Sequence, residues 1–184
     1  MSTERMGSQG GEALFEVRLD RTCEAPAGAI YDLLADLEQH LEWGGRKQKR
    51  KFRLTSIEAP AGPATVGTEF HTTGVDPGGS FTDTSVVTEA TRPEVFEFVT
   101  EARLRPKRGD ILESTNVHRY EIRPRGSGCA VAYTDRVMRL SRRPWWTKGW
   151  ARGLVQKISA SYARGGLENL ARAAEERAGV RPAA

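Results

Sequence analysis

Hydrophobic and polar residues alternate cleanly over Phe15–Glu24, with Phe15, Val17, Leu19 and Cys23 on one face and Glu16, Arg18, Asp20 and Glu24 on the other. A period of two with a single apolar face predicts a strand covered on one side. Pro26 ends it and suits the first turn of a helix. That helix is expected over Ala27–Leu41, where Ile30, Leu33, Leu34, Leu37 and Leu41 recur at helical spacing. A division near Asp36 would give two short helices. From Phe52 to Met138 strand patterns follow one another at Phe52–Ile57, Val66–Gly74, Ser80–Thr91, Val95–Ala102, Glu113–Arg123 and Cys129–Met138. The turns between them (DPGG at Asp76–Gly79, Arg92-Pro93, Arg125–Gly128) are too short for parallel crossovers and predict antiparallel hairpins. Pro144–Arg177 then reads as a long helix broken at Gly165-Gly166, because glycine destabilises a helix interior by about 1 kcal/mol. Trp150, Leu154, Ile158 and Tyr162 share a face before the glycines, and Leu167, Leu170 and Ala174 share another after them. A kink would turn both stripes to one sheet.

Seven strands in a run, with helices only after the first and the last, predict an α+β fold with helices on one face of a curved antiparallel sheet. A sheet of this width curls, and a curled sheet gripping a long helix leaves a hollow between them.

The order of elements, with EAPAGAIYDLLADLEQHLEW (24–43), VGTEF (66–70), VVTEATRPEVFEF (86–98), HRYEIRP (118–124) and GLENLARAAEE (166–176), resembles the START/Bet v 1-like (SRPBCC) superfamily. The nearest type is that of the polyketide cyclase/dehydrase and lipid-transport proteins. The likeness spans about residues 14–177 and rests on motif order rather than any one motif. It implies a helix-grip fold with a deep cavity that takes lipids, polyketides, hormones or similar molecules. It implies no particular reaction, since carriers, sensors and enzymes share the superfamily. Aromatase/cyclases of this type carry Trp-Pro and Phe-x-Pro-Thr patterns after the second helix. LEWGGRKQKRKF (41–52) has the tryptophan and neither proline, which counts against an aromatic polyketide cyclase.

Length and charge refine this picture. A chain of 184 residues suits one domain, expected over 12–178 between disordered tails at 1–11 and 179–184. Neither a signal peptide nor an apolar run long enough to span a bilayer stands out, so a cytoplasmic protein without stable membrane insertion is expected. The net charge is +4, but Gly44–Arg53 alone holds six basic residues. With no aromatic residues interleaved and no recognition helix, that run reads as a solvated loop, and no nucleic-acid partner is expected. A salt-sensitive contact with a partner or a membrane surface is the other reading. Cys23, Cys129 and the histidines lack metal-ligand spacing; no metal and no cofactor are expected. A monomer or a homodimer fits equally.

Strand phase sorts the candidate chemistry. His118 shares a face with Asn116, Tyr120 and Ile122, and Asp83 with Phe81, Ser85 and Val87. Tyr133 is in phase with Val131, Asp135 and Val137. A strand bulge could invert these phases. The expected pocket wall is Trp43, Phe70, Phe81, Asp83, Ser85, Phe98, Asn116, His118, Tyr120, Tyr133, Ile158 and Tyr162. His118, Asp83 and Tyr120 are the candidates for acid–base chemistry. His118 could exchange protons near neutral pH or be a buried histidine bonded to a neighbour. Desolvation would raise the pKa of Asp83 unless it pairs with an arginine. Asp83 and His118 sit two strand spacings apart, about 9.5 Å, too far for a direct dyad. His71 is expected outward, and His40 at a partly exposed helix end. The tryptophans Trp145, Trp146 and Trp150 anchor the last helix by packing, gate the cavity, or touch a membrane beside Arg142, Arg143 and Lys148.

The residues therefore lead to a binder of a small hydrophobic molecule. The alternative is a cyclase, dehydratase or isomerase working through the same pocket.

Overall fold

The computed structural model describes residues 12–46, 53–76, 78–142 and 149–180, and of residues 45, 46, 150 and 151 the backbone alone. The elements run β1 (Phe15–Cys23), α1 (Ala27–Ala35), β2 (Arg53–Glu58), β3 (Glu69–Val75), β4 (Gly79–Thr91), β5 (Val95–Pro106), β6 (Leu112–Arg125), β7 (Gly128–Leu140) and α2 (Gly149–Ala178). The seven strands form one antiparallel sheet in the order β1-β7-β6-β5-β4-β3-β2. This is the expected α+β helix-grip layout. After β1 the chain crosses from one edge of the sheet to the other through α1, a short 3-10 turn at Leu37–Gln39 and a π-helical turn at Glu42–Arg46. The helical segment does divide at Asp36, whose backbone ends α1.

Packing follows the sequence pattern. Ile30, Leu33 and Leu34 of α1 are buried on the sheet, and Tyr31 meets Phe96 edge-on with ring centroids 6.0 Å apart. Leu167, Leu170, Ala171 and Ala174 form the buried stripe of α2. Cys23 and Cys129 face each other across β1 and β7 as free, buried thiols. On β3 a glycine is required: a Cβ at Gly74 would overlap the Phe81 ring lying across it and come 2.6 Å from the Arg53 carbonyl oxygen.

Two expectations need correction. α2 is helical without a break through Gly165-Gly166, where the buried stripe that follows, Leu167 to Ala174, outweighs the glycine cost. Its two apolar stripes are therefore not turned onto one sheet. The second is buried, whereas Leu154 and Ile158 stand 50% and 45% exposed. The tails at 1–11 and 181–184, most of the basic run, and Trp145, Trp146, Arg143 and Lys148 lie outside the described residues, as does the side chain of Trp150.

Candidate functional site on the concave face

Cross-strand register orders the inner face into rows. One row holds Thr72, Asp83, Ala102 and Ser114 on β3 to β6. The next holds Phe70, Ser85, Thr100, Asn116 and Val137. Then come Val87, Phe98, His118, Asp135 and Val17, followed by Phe96, Tyr120, Tyr133 and Leu19. Two polar rows thus border two rows rich in aromatic rings. Bulges occur between Val87 and Glu89 on β4 and opposite Thr115/Asn116 on β7, past the residues of interest, so the inward phases of Asp83, Asn116, His118 and Tyr133 hold.

An aromatic strip crosses this face. His40 packs on Trp43 with centroids 4.8 Å apart and on Phe70 at 6.1 Å. Phe70 meets Phe98 at 5.4 Å, and Phe98 stacks on His118 at 4.8 Å. His118 lies parallel to Tyr133 at 6.3 Å, and Tyr133 contacts Tyr120 at 4.7 Å. His40 is a correction: it is 4% exposed rather than at the surface, because the turns after Ala35 fold it back beneath the sheet. Its Nε2 lies 2.8 Å from the Leu34 carbonyl oxygen, and burial lowers its pKa to about 4.

The polar rows are unevenly satisfied. Ser85 and Thr100 bond each other at 2.9 Å, both buried. The Thr72 hydroxyl donates to Asp83 Oδ2 at 3.4 Å, while the buried Oδ1 has no partner among the described residues. No described arginine pairs with Asp83, and burial pushes its pKa up to about 7 against the opposing pull of Thr72. Asn116 donates to Ser114 at 3.2 Å, leaving its own buried Oδ1 without a described partner. The Trp43 Nε1 is buried and unpartnered in the same sense.

His118 has the partner that sequence reasoning missed. Asp135 sits directly opposite on β7, and its Oδ1 lies 3.7 Å from His118 Nδ1. Nδ1 also lies 2.8 Å from the Tyr133 hydroxyl. The signal was present in the turn. β6 and β7 are joined through Gly126-Ser127 with Arg125 opposite Gly128, and counting outward from that pair brings 118 against 135. Burial raises the pKa of Asp135, with His118 opposing. Burial also raises those of Tyr120 and Tyr133, with Asp135 adding to both, so each phenol stays protonated. Asp83 is remote from this group. It pairs with Ala102 of β5, whereas His118 pairs with Phe98, a separation of about 16 Å from strand geometry.

Of the remaining expected wall residues, Phe81 is buried at 7% and Tyr162 is half-buried. Ile158 is about 200° round α2 from Gln156, which bonds the Glu16 carbonyl on β1, so it lies on an uncovered side of the helix. His71 is outward as expected, 50% exposed beside Glu69 and Thr84.

No family model and no curated protein matches the chain. Solved structures do match its fold. An uncharacterised protein of Rhizobium leguminosarum aligns with a TM-score of 0.66 at 13% identity over 88% of this chain and 95% of its own. TTHA0849 of Thermus thermophilus aligns at 0.63 and 20% identity over 89% and 99%. DynU16, a protein of the dynemicin biosynthetic locus, aligns at 0.53 and 14% identity over 90% of this chain and 48% of its own. At these identities the likeness is one of fold. No described helix is long and apolar enough to cross a membrane.

Proposed function

We propose that this protein, as a member of the START/Bet v 1-like type, binds a small hydrophobic molecule of lipid or polyketide character on the concave face of its sheet. The observation that carries the reading is the amphipathic character of that face. An aromatic strip from Trp43 to Tyr120 offers an apolar body its contact. Beside it lie the buried oxygens of Asp83, Asn116 and Asp135 with no hydrogen bond from a described residue. Buried polar atoms normally have partners, and a pocket that combines apolar walls with a few unpaired polar groups is the usual form of a small-molecule site. The location of DynU16 in a biosynthetic locus agrees with a role in metabolite chemistry.

Native mass spectrometry of gently purified protein, with titration of an environment-sensitive naphthalene fluorophore, tests the reading. A retained adduct or a saturable fluorescence gain that falls in Phe98→Ala is expected. Bare protein that also ignores the fluorophore would overturn it.

A further inference from the structure

We infer that His118 is a catalytic residue that moves a proton on the molecule bound at this face, and that the substrate is an apolar carbonyl compound with an acidic C–H beside the carbonyl. This rests on the ligand-binding reading above and adds a reaction to it.

Geometry separates the two nitrogens of the imidazole. Nδ1 is engaged, 2.8 Å from the Tyr133 hydroxyl and 3.7 Å from Asp135 Oδ1. The ring is stacked on Phe98 and runs within 11° of parallel to Tyr133, so its orientation is fixed by packing. Nε2 stands further from the backbone than Nδ1 on an inward-facing side chain, and no described residue bonds it. The side chain keeps 19% of its surface open. A held Nδ1 and an open Nε2 are what a general base or acid needs, because the second nitrogen sets the tautomer and aim of the first. Asp135, directly across the strand pair, flanks the engaged nitrogen and helps to hold the ring.

Tyr120 supplies the complementary group. It lies two positions along β6 on the same face, about 6.8 Å away in backbone terms, a span that one bound molecule can bridge. Burial keeps its phenol protonated. In the reaction, Nδ1–H donates to the Tyr133 oxygen, so that Nε2 carries the lone pair and takes the proton from carbon. The C–H electron pair becomes the carbon–carbon double bond of an enolate as the carbonyl π pair moves to oxygen. The Tyr120 hydroxyl donates a hydrogen bond to that oxygen. The imidazolium then returns a proton to carbon, so nothing is oxidised or reduced and no co-reactant is required. His118 and Tyr120 touch the substrate; Asp135 and Tyr133 are positioning residues.

Hydrogen–deuterium exchange of 2-tetralone at C1, followed by proton NMR in deuterated buffer with the full chain, tests this. Ketone binding is read from line broadening, and fluorophore binding is measured alongside. The protein should speed exchange above buffer. His118→Ala, and His118→Gln as a closer substitute in shape, should lower the protein-dependent rate about 100-fold or more while the ketone still binds. Added imidazole should restore part of the rate in His118→Ala. Asp135→Asn and Tyr133→Phe should lower the rate at saturation and leave the half-saturating concentration unchanged, which a merely structural role would not separate. Exchange at the buffer rate with ketone bound, or at the wild-type rate in both His118 variants, would overturn the inference. Binding of the fluorophore without the ketone would remove the carbonyl class. Binding of neither would sink the ligand-binding reading itself.

Discussion

Arg119 and its neighbours on β6 show how differently the two faces of one sheet treat charge. On the outer face the Arg119 guanidinium reaches Glu89 at 2.6 Å, Glu97 at 3.0 Å and Glu121 at 3.3 Å. Partial burial alone would lower its pKa, but these carboxylates hold it above its ordinary value. Beside it, Arg139 bonds Glu101 and Thr115, and Arg103 pairs with Glu113. On the inner face Asp83 has one long bond from Thr72 and no described counter-charge. Asp135 faces a single imidazole. The outer lattice is what a solvated sheet face needs for solubility and register. The inner groups are left short of partners where desolvation is most costly. Unpaired carboxylates on the buried face destabilise the fold, and such groups persist where they serve a ligand.

The largest test of this contrast lies in pH. Asp83 titrates near 3.8 in the unfolded chain and at about 7 in the fold. Between those values the native state holds a proton that the unfolded chain has released, so stability falls as pH rises from about 4 to about 7, by an amount of order 4 kcal/mol. His40 runs the other way. Its pKa drops from 6.5 to about 4, so the stability of its neutral form is lost as pH falls through that window. Below about pH 6.5 the two slopes nearly cancel. Asp135, also raised by burial, adds to the Asp83 slope, so urea denaturation of the wild type should show stability falling gently with pH in that range. Measured against the wild type, Asp83→Asn should tilt the curve toward stability rising with pH, and His40→Gln should tilt it toward stability falling. Parallel curves for all three proteins would contradict the burial of both groups.

A smaller effect is expected outside. Arg119→Ala leaves three carboxylates facing one another at a side chain only 24% exposed, and should cost about 2 kcal/mol, part of it recovered by salt. The smallest is Arg139→Ala. Its pair with Glu101 is 57% and 47% exposed, and less than about 0.5 kcal/mol should be lost in thermal melts.

Strand phase carried most of what the sequence disclosed. Alternation alone places Asp83, Asn116, His118 and Tyr133 inward, because a strand face is a local property. The pairing of His118 with Asp135 needs one further count through the turn at Gly126-Ser127, and phase without register leaves Asp83 as the nearer-looking partner. His40 was beyond local reading. Its burial depends on the chain doubling back after Ala35, and nothing in the spacing of Leu37 and Leu41 specifies that path. The continuity of α2 through its two glycines is likewise a tertiary outcome, set by docking rather than propensity.

The crossing from β1 to β2 has a consequence for how the molecule assembles. From β2 onward each strand pairs with the next to emerge, so the meander can grow by local hairpins during synthesis. β1 cannot join it, because its register partners run from Cys129 to Val137, more than a hundred positions downstream. The first strand must therefore wait, unpaired, until β7 has emerged, and only then can α2 lay Ala171 over Cys23. β1 and α2 are committed last and together, and the concave face is complete only when they meet.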